Sequence, residues 1–248
     1  MTKQSGLGDQ LFISGVDIGA DINAISNLST PRETLPATNI TQSAMARMFG
    51  KRDGQAEFIA YFNDDAASTH VTLKALPRTD VHLMYLRGTT LGNQSFAMVG
   101  KQVNYDPNRG DDGSFLFTVS AQANAYGADW CQQLTAGKIT HSSAASGSTL
   151  DTTAAVGATA FGFQAYLQVF SLGSGTAELK IEDSANGTDW LDLTDGAFTN
   201  ITASTVQRIQ SSSATATVRR YLRVTSGGTF TNLVFAVGIN KNLAARAL

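Results

Sequence analysis

What most constrains this 248-residue chain is that its apolar residues recur mostly every second position, and only rarely at the three-to-four spacing of a helix. The segment "TAELKIEDSANGTDW" shows the pattern at its plainest. Ala177, Leu179 and Ile181 fall on one face, Glu178, Lys180 and Glu182 fall on the other, and Asn186-Gly187, a strong hairpin signal, follows. "ATVRRYLRV" and "NLVFAVGI" continue in the same manner, the latter aligning Leu233, Phe235, Val237 and Ile239. Eight or so short strands of this kind predict a jelly-roll-like sandwich.

The earlier part of the chain offers "QLFISGV", "AEFIAYF", "VHLMYLRG", "SFAMVGKQV" and "SFLFTVSAQ" as further strands. Two helices are expected among them. In "ITQSAMARMFG", Thr41 can cap the N-terminus, Ile40 and Met45 can form a hydrophobic staple, Met48 and Phe49 extend an apolar stripe, and Gly50 can end it. A shorter helix fits "STHVTLKAL", stopped by Pro77. The expected fold class is mainly β: an N-terminal antiparallel sandwich or barrel with one dependable helix, then an all-β jelly-roll-like sandwich.

Texture changes at Thr135–Ala160, where 20 of 26 residues are Ser, Thr, Ala or Gly, a composition with few side chains able to anchor a core. The expected division is a first domain at 1–137, a linker at 138–147 and a second domain at 148–248, with Leu150 and Val156 as possible members of the next strand. Through Gly137 there are 10 Lys/Arg and 13 Asp/Glu, a net of −3; the remainder has 8 and 7, a net of +1.

Charged residues are 15% of the chain, against roughly 25% in an average domain. The formal net charge of −2 and the absence of any Lys/Arg run argue against a nucleic-acid-binding groove. Cys131 alone can form neither an intrachain disulfide nor a Cys-x-x-Cys metal cluster. The opening "MTKQSGLGDQLF" lacks the apolar core of a signal peptide, and no window approaches the ~18 apolar residues of a membrane span, so no membrane partner is expected.

Motifs for chemistry are scarce. His70, His82 and His141 stand outside any HExxH pattern, no Gly-x-Ser-x-Gly elbow surrounds a serine, and phosphate-loop and Rossmann fingerprints are missing. Asp64-Asp65 and Asp111-Asp112 lie at turn-like positions, where solvated turns explain them better than a glycosidase pair. No catalytic activity, cofactor or metal is expected. Trp190 and Tyr221 could stack on a sugar, although cross-strand packing also explains Trp190.

"NYDPNRGDDGSF" is the densest cluster of candidate ligands. An EF-hand loop beginning at Asp106 would have Gly110 one position early and Phe117 where a bidentate Glu belongs, so the segment reads as a turn between strands. At about ten residues, Asn104 to Gly113, it exceeds what a hairpin needs. Asp106, Asn108, Arg109, Asp111 and Asp112 are therefore expected to form a loop that reaches a neighbouring subunit.

Much of the chain resembles the major tail, or tail tube, proteins of long-tailed bacteriophages. "LFISGVDIGADINAISNLSTPRETLPATNITQSAMARMFGKRDGQAEFIAYFND" is similar to their opening, with Ser43, Ala44, Met45, Arg47, Gly50, Arg52, Asp53 and Gly54 matching a shared segment. "RGTTLGNQSFAMVGKQVNYDPNRGDDGS" is similar to their central strands, and "AYLQV", "KIEDSANGTDW" and "VRRYLRV" to an appended jelly-roll or immunoglobulin-sized domain. The resemblance implies a structural virion protein, assembled in the bacterial cytoplasm. Its hexameric rings would stack into a tube, with other tail proteins as partners and double-stranded DNA passing through unbound to any specific site. A mildly acidic wall suits that passage, since Lys/Arg clusters would adhere to phosphate. The competing expectation is a capsid or tail decoration protein, or a receptor-directed carbohydrate binder using the second domain.

Overall fold

A computed structural model of the chain describes residues 5–153 and 157–246; the first four residues and Val156 lie outside it. The protein is mainly β, built from antiparallel sheets. The strands begin with β1 (Gln10–Ile13), β2 (Val16–Asp17), β3 (Ile22–Ser29), β4 (Arg32–Pro36), β5 (Arg47–Arg52) and β6 (Gln55–Tyr61). Helix α1 (Thr69–Leu73) precedes β7 (Val81–Leu86), β8 (Gln94–Gln102), β9 (Asp106–Arg109), β10 (Phe115–Ala123) and β11 (Asp129–Gln133). Then come β12 (Ile139–His141), β13 (Ala145–Ser146), β14 (Leu150–Asp151), β15 (Phe163–Ser171) and β16 (Ser174–Ser184). The last are β17 (Leu191–Ala197), β18 (Thr205–Gln210), β19 (Tyr221–Thr231) and β20 (Leu233–Lys241).

Two compact units divide the chain, one made of Met1–Ala20, His82–Ala97 and Trp130–Leu248, the other of Asp21–Val81 and Met98–Asp129. They do not follow the expected division at 1–137 and 148–248. The physical reason is strand pairing at long sequence separation. Within the first unit β11 and β12 both pair with β20, and Gln168 on β15 is tied to the N-terminal segment, accepting from Gly15 N at 2.7 Å while donating to His82 O at 2.9 Å.

The first unit is a sandwich. β13 and β14 pair with β19, which is followed by β16 and β17; the facing sheet runs β18, β15, β20. Period-two alternation sends Ala177, Leu179 and Ile181 from β16 and Leu222 and Val224 from β19 into the same core as Phe163, Ala165, Leu167 and Val169 from β15 and Phe235, Val237 and Ile239 from β20. Each fully buried Leu, Ile or Phe contributes roughly 1.5–3 kcal/mol. Asn186-Gly187 does turn the chain between β16 and β17, as a loop from Ser184 to Trp190 in which Gly187 takes φ 81°.

The expected linker at 138–147 is part of this sandwich. Ile139–His141 extends the β20 sheet and Ala145–Ser146 the β19 sheet, so the segment crosses from one layer to the other. His141 is buried, with Nδ1 2.7 Å from Ser226 Oγ on β19. Small residues serve close approach here: a Cβ on Gly147 would lie 2.9 Å from Val224 O. Backbone pairing thus holds a segment whose side chains offer little to a core.

In the second unit β3, β6 and β10 lie side by side, with β9 and the end of β8 both pairing along β10. Phe58, Ala60, Phe117 and Val119 supply buried faces. The short helix expected near "STHVTLKAL" forms as α1, and Asp21 accepts from Thr69 N at its N-terminus, 3.2 Å away. The helix expected over "ITQSAMARMFG" does not form. Thr41 gives its hydroxyl to Asn39 Oδ1 at 2.6 Å, Ile40 is fully exposed, and Arg47–Arg52 is a strand paired with Arg32–Pro36. Ala37 N to Ala46 O and Ala46 N to Thr38 Oγ1, both 2.9 Å, continue that pairing toward the tip. Cross-strand hydrogen bonds to residues eight or more positions away override a local pattern worth only tenths of a kcal/mol per residue.

Candidate assembly surface

Three features of the second unit stand out. The first is the β4–β5 ribbon, a two-stranded sheet paired with no third strand among the described residues. The register Leu35↔Met48 and Thr34↔Phe49 places apolar side chains on both of its faces, and Leu35, Met48 and Phe49 are all exposed, as are Ile40 and Met45 beyond the strands. A lone hairpin is marginally stable in water.

The second feature is the way this ribbon is rooted. Arg52 Nη2 lies 2.6 Å from Asp129 Oδ1, a carboxylate with no exposed surface, and also donates to Ala128 O at 2.9 Å. Asp53 N reaches Pro31 O, and Ala123 N reaches Gly54 O. A Cβ on Gly54 would sit 2.5 Å from that of Ala128, so only glycine fits. Arg52, Asp53 and Gly54, which carry part of the family resemblance, therefore fix the base of a ribbon whose tip is exposed.

The third feature holds the predicted site residues. Asp106, Asn108 and Arg109 are not in a long loop: they form β9, registered on β10 as Asp106↔Thr118, Asn108↔Leu116 and Arg109↔Phe115. The turn is shorter than expected, closed by Gly110 N to Ser114 O at 2.8 Å with Gly113 at φ 87°, and Asp111 and Asp112 lie within it. Hydrogen bonds from the Ser114 hydroxyl and then its amide hold the Asp112 carboxyl below the usual range. All five residues are exposed. Among the described residues no group of three or more His, Cys, Asp or Glu could hold a metal ion.

Beside this turn lies an aromatic cluster that the sequence reading did not assemble. Tyr105 stacks on Phe117 with centroids 4.1 Å apart, Phe62 packs on His70 at 4.7 Å and on Phe115 at 5.5 Å, and His70 Nδ1 lies 3.0 Å from Tyr105 Oη. Burial pushes the Tyr105 hydroxyl up to about 12. Phe62 and Phe115 keep 39% and 41% of their surface exposed, and they are flanked along the chain by acids that are exposed too, Asp64 and Asp65 just after Phe62 and Asp111 and Asp112 just before Phe115. The alternation of Phe115 and Phe117 was visible; their meeting with Phe62 and Tyr105 depends on strand register.

In the first unit, guanidinium groups already occupy ring faces of the candidate sugar-stacking residues. Arg223 Cζ sits 4.2 Å from the Trp190 centroid and Arg220 Cζ 4.6 Å from that of Tyr221. Glu182 and Asp151 hold the two arginines in place. His141 and Cys131 are buried. No helix among the described residues is long and apolar enough to cross a membrane.

No protein-family model matches this sequence, and no curated protein matches it. Among solved structures, the chain is similar to a component of the virion of a native gene transfer agent particle, at 13% identity and TM-score 0.41, over 52% of this chain and 98% of that one. It is also similar to the Dit protein of phage SPP1, described as a hub adsorption apparatus in phages infecting Gram-positive hosts, at 9% identity and TM-score 0.35, over 94% and 99%. A chain of the phage p2 baseplate matches at 9% identity and TM-score 0.35, over 96% and 99%. At such low identity and TM-score, none of these likenesses carries an argument about function.

Proposed function

We propose that this chain is a structural subunit of a phage tail, without catalytic activity. Rings of identical copies, six by the sequence resemblance, stack into a tube that conducts double-stranded DNA. The observation that carries this reading is the rooted β4–β5 ribbon, which exposes apolar residues on both faces and pairs with no third strand among the described residues. A subunit that completes such a surface only by association is suited to repeated heterologous contacts, which close into rings or extend as filaments. The second unit carries 8 Lys/Arg and 11 Asp/Glu, a net of −3, which disfavours adhesion to passing phosphate. In this reading the turn at Asp111 and Asp112 belongs to a contact between subunits. Negative-stain microscopy of the purified protein is the test: rings or tubes of uniform bore support it, and a monodisperse monomer at every concentration overturns it.

A further inference from the structure

The ribbon and the acid-rimmed aromatic patch occupy opposite ends of the same strands. β4 and β5 leave the sheet where Ser29 pairs with Gln55, whereas the patch surrounds the far end, where Tyr61 pairs with Leu116 and Phe62 N donates to Phe115 O at 3.0 Å. The seven residues of β6 separate these ends by about 20 Å. The two surfaces also complement each other. The ribbon carries Arg32, Arg47, Lys51 and Arg52 against the single carboxylate of Glu33, with Met48 and Phe49 exposed between them. The patch presents exposed Phe62 and Phe115 among Asp64, Asp65, Asp111 and Asp112, with Arg109 as the nearby cation.

We propose that the β4–β5 ribbon of one copy docks on the acid-rimmed aromatic patch of a second copy of this chain, through Phe49 against Phe62 and Phe115 and through Arg47, which alternates onto the Phe49 face of β5, and Lys51, two residues beyond Phe49, against the patch carboxylates. This names the contact behind the assembly reading and rests on it. Because donor and acceptor surfaces lie at opposite ends of one sheet, each copy that docks leaves a ribbon and a patch free, and the contact propagates head to tail. Burial of the aromatic rings supplies affinity, while the charges set orientation and partner choice.

Two full-length variants test this, Phe49→Ser on the ribbon and Asp65→Lys/Asp111→Lys on the patch, with circular dichroism confirming that both stay folded. By sedimentation velocity, each variant alone is expected to need about tenfold or more protein for half-assembly than the wild type. An equimolar mixture regains one contact per pair and stops at a discrete paired species. A second pair of changes, Arg47→Asp/Lys51→Asp added to the patch variant, restores growth by exchanging the charges. Ribbon variants that assemble at the wild-type concentration overturn this contact while leaving the tail reading intact, as does a mixture that shows no pairing. A wild-type chain that never assembles overturns both.

Discussion

The β16–β19 pair and the β4–β5 ribbon are both antiparallel and both alternate, yet they belong to different kinds of structure. In β16 and β19 one face is mainly apolar, and Leu179, Ile181, Leu222 and Val224 disappear into a core closed by β15 and β20. In the ribbon, Leu35 and Met48 share one face and Phe49 takes the other, so no single layer can cover both. The outer face of the sandwich is laced with pairs such as Lys180–Asp192 and Glu182–Arg223, whereas the ribbon's long apolar side chains stand exposed. One-sided alternation gives a sheet that its own unit completes; two-sided exposure leaves apolar side chains in solvent, and in the proposed assembly a neighbour covers them.

The largest effect that could break this comparison comes from cutting the chain after Gly137, at the expected domain boundary. Because β11 pairs with β20 and Gln168 holds both Gly15 and His82, the fragment is expected to be insoluble or unfolded; a soluble fragment with cooperative melting would show that the two halves are independent after all. Ile181→Ala, in the fully buried sandwich core, should cost about 3 kcal/mol in urea unfolding, and a loss below ~1 kcal/mol would mean the core readily collapses around the gap. Removing the root of the ribbon by Arg52→Met leaves the buried Asp129 carboxylate without its guanidinium and should also cost about 3 kcal/mol.

A subtler contrast lies in pH. Burial pushes the His141 imidazole below its ordinary pKa of 6.5, so the unfolded chain binds the proton more readily than the folded one. Stability from this group is therefore complete above about pH 6.5 and declines as pH falls through that value toward the lowered folded one. A Tm that drops on acidification in the wild type but less steeply in His141→Gln would locate the effect at the β12–β19 contact; parallel curves would remove it. The smallest effect on stability is expected at the ribbon itself. Phe49→Ser should change unfolding free energy by no more than ~0.5 kcal/mol in the dissociated protein, since the ring is 74% exposed, with the Arg32 guanidinium 5.7 Å from its centroid. A large loss would mean that Phe49 contributes to the subunit's own core.

Much of the sandwich was legible from residue spacing, because each strand there buries one face and period two records that face directly. Leu233, Phe235, Val237 and Ile239 share a face of β20 as the alternation predicts, and the short helix before Pro77 forms where its signals lie. The candidate surface was less legible. Met45, Met48 and Phe49 satisfy a helical spacing and not a period of two, and the strand forms because Arg32–Pro36 is available as a partner. The aromatic cluster joins residues from Phe62 to Phe117, and no local window contains both.

By itself, then, the sequence determined the mainly β class, the inward faces of the sandwich strands, the turn at Asn186-Gly187 and the charged turn at Asp111 and Asp112, all of which follow from interactions within a few residues. Only the tertiary structure decided that 138–147 is sheet rather than linker, that residues 1–20 and 82–97 belong with the C-terminal sandwich, and that the apolar stripe near Met48 is an exposed ribbon anchored by Asp129. Those outcomes are set by hydrogen bonds and an ion pair between residues as many as 153 positions apart, a coupling that no local periodicity encodes.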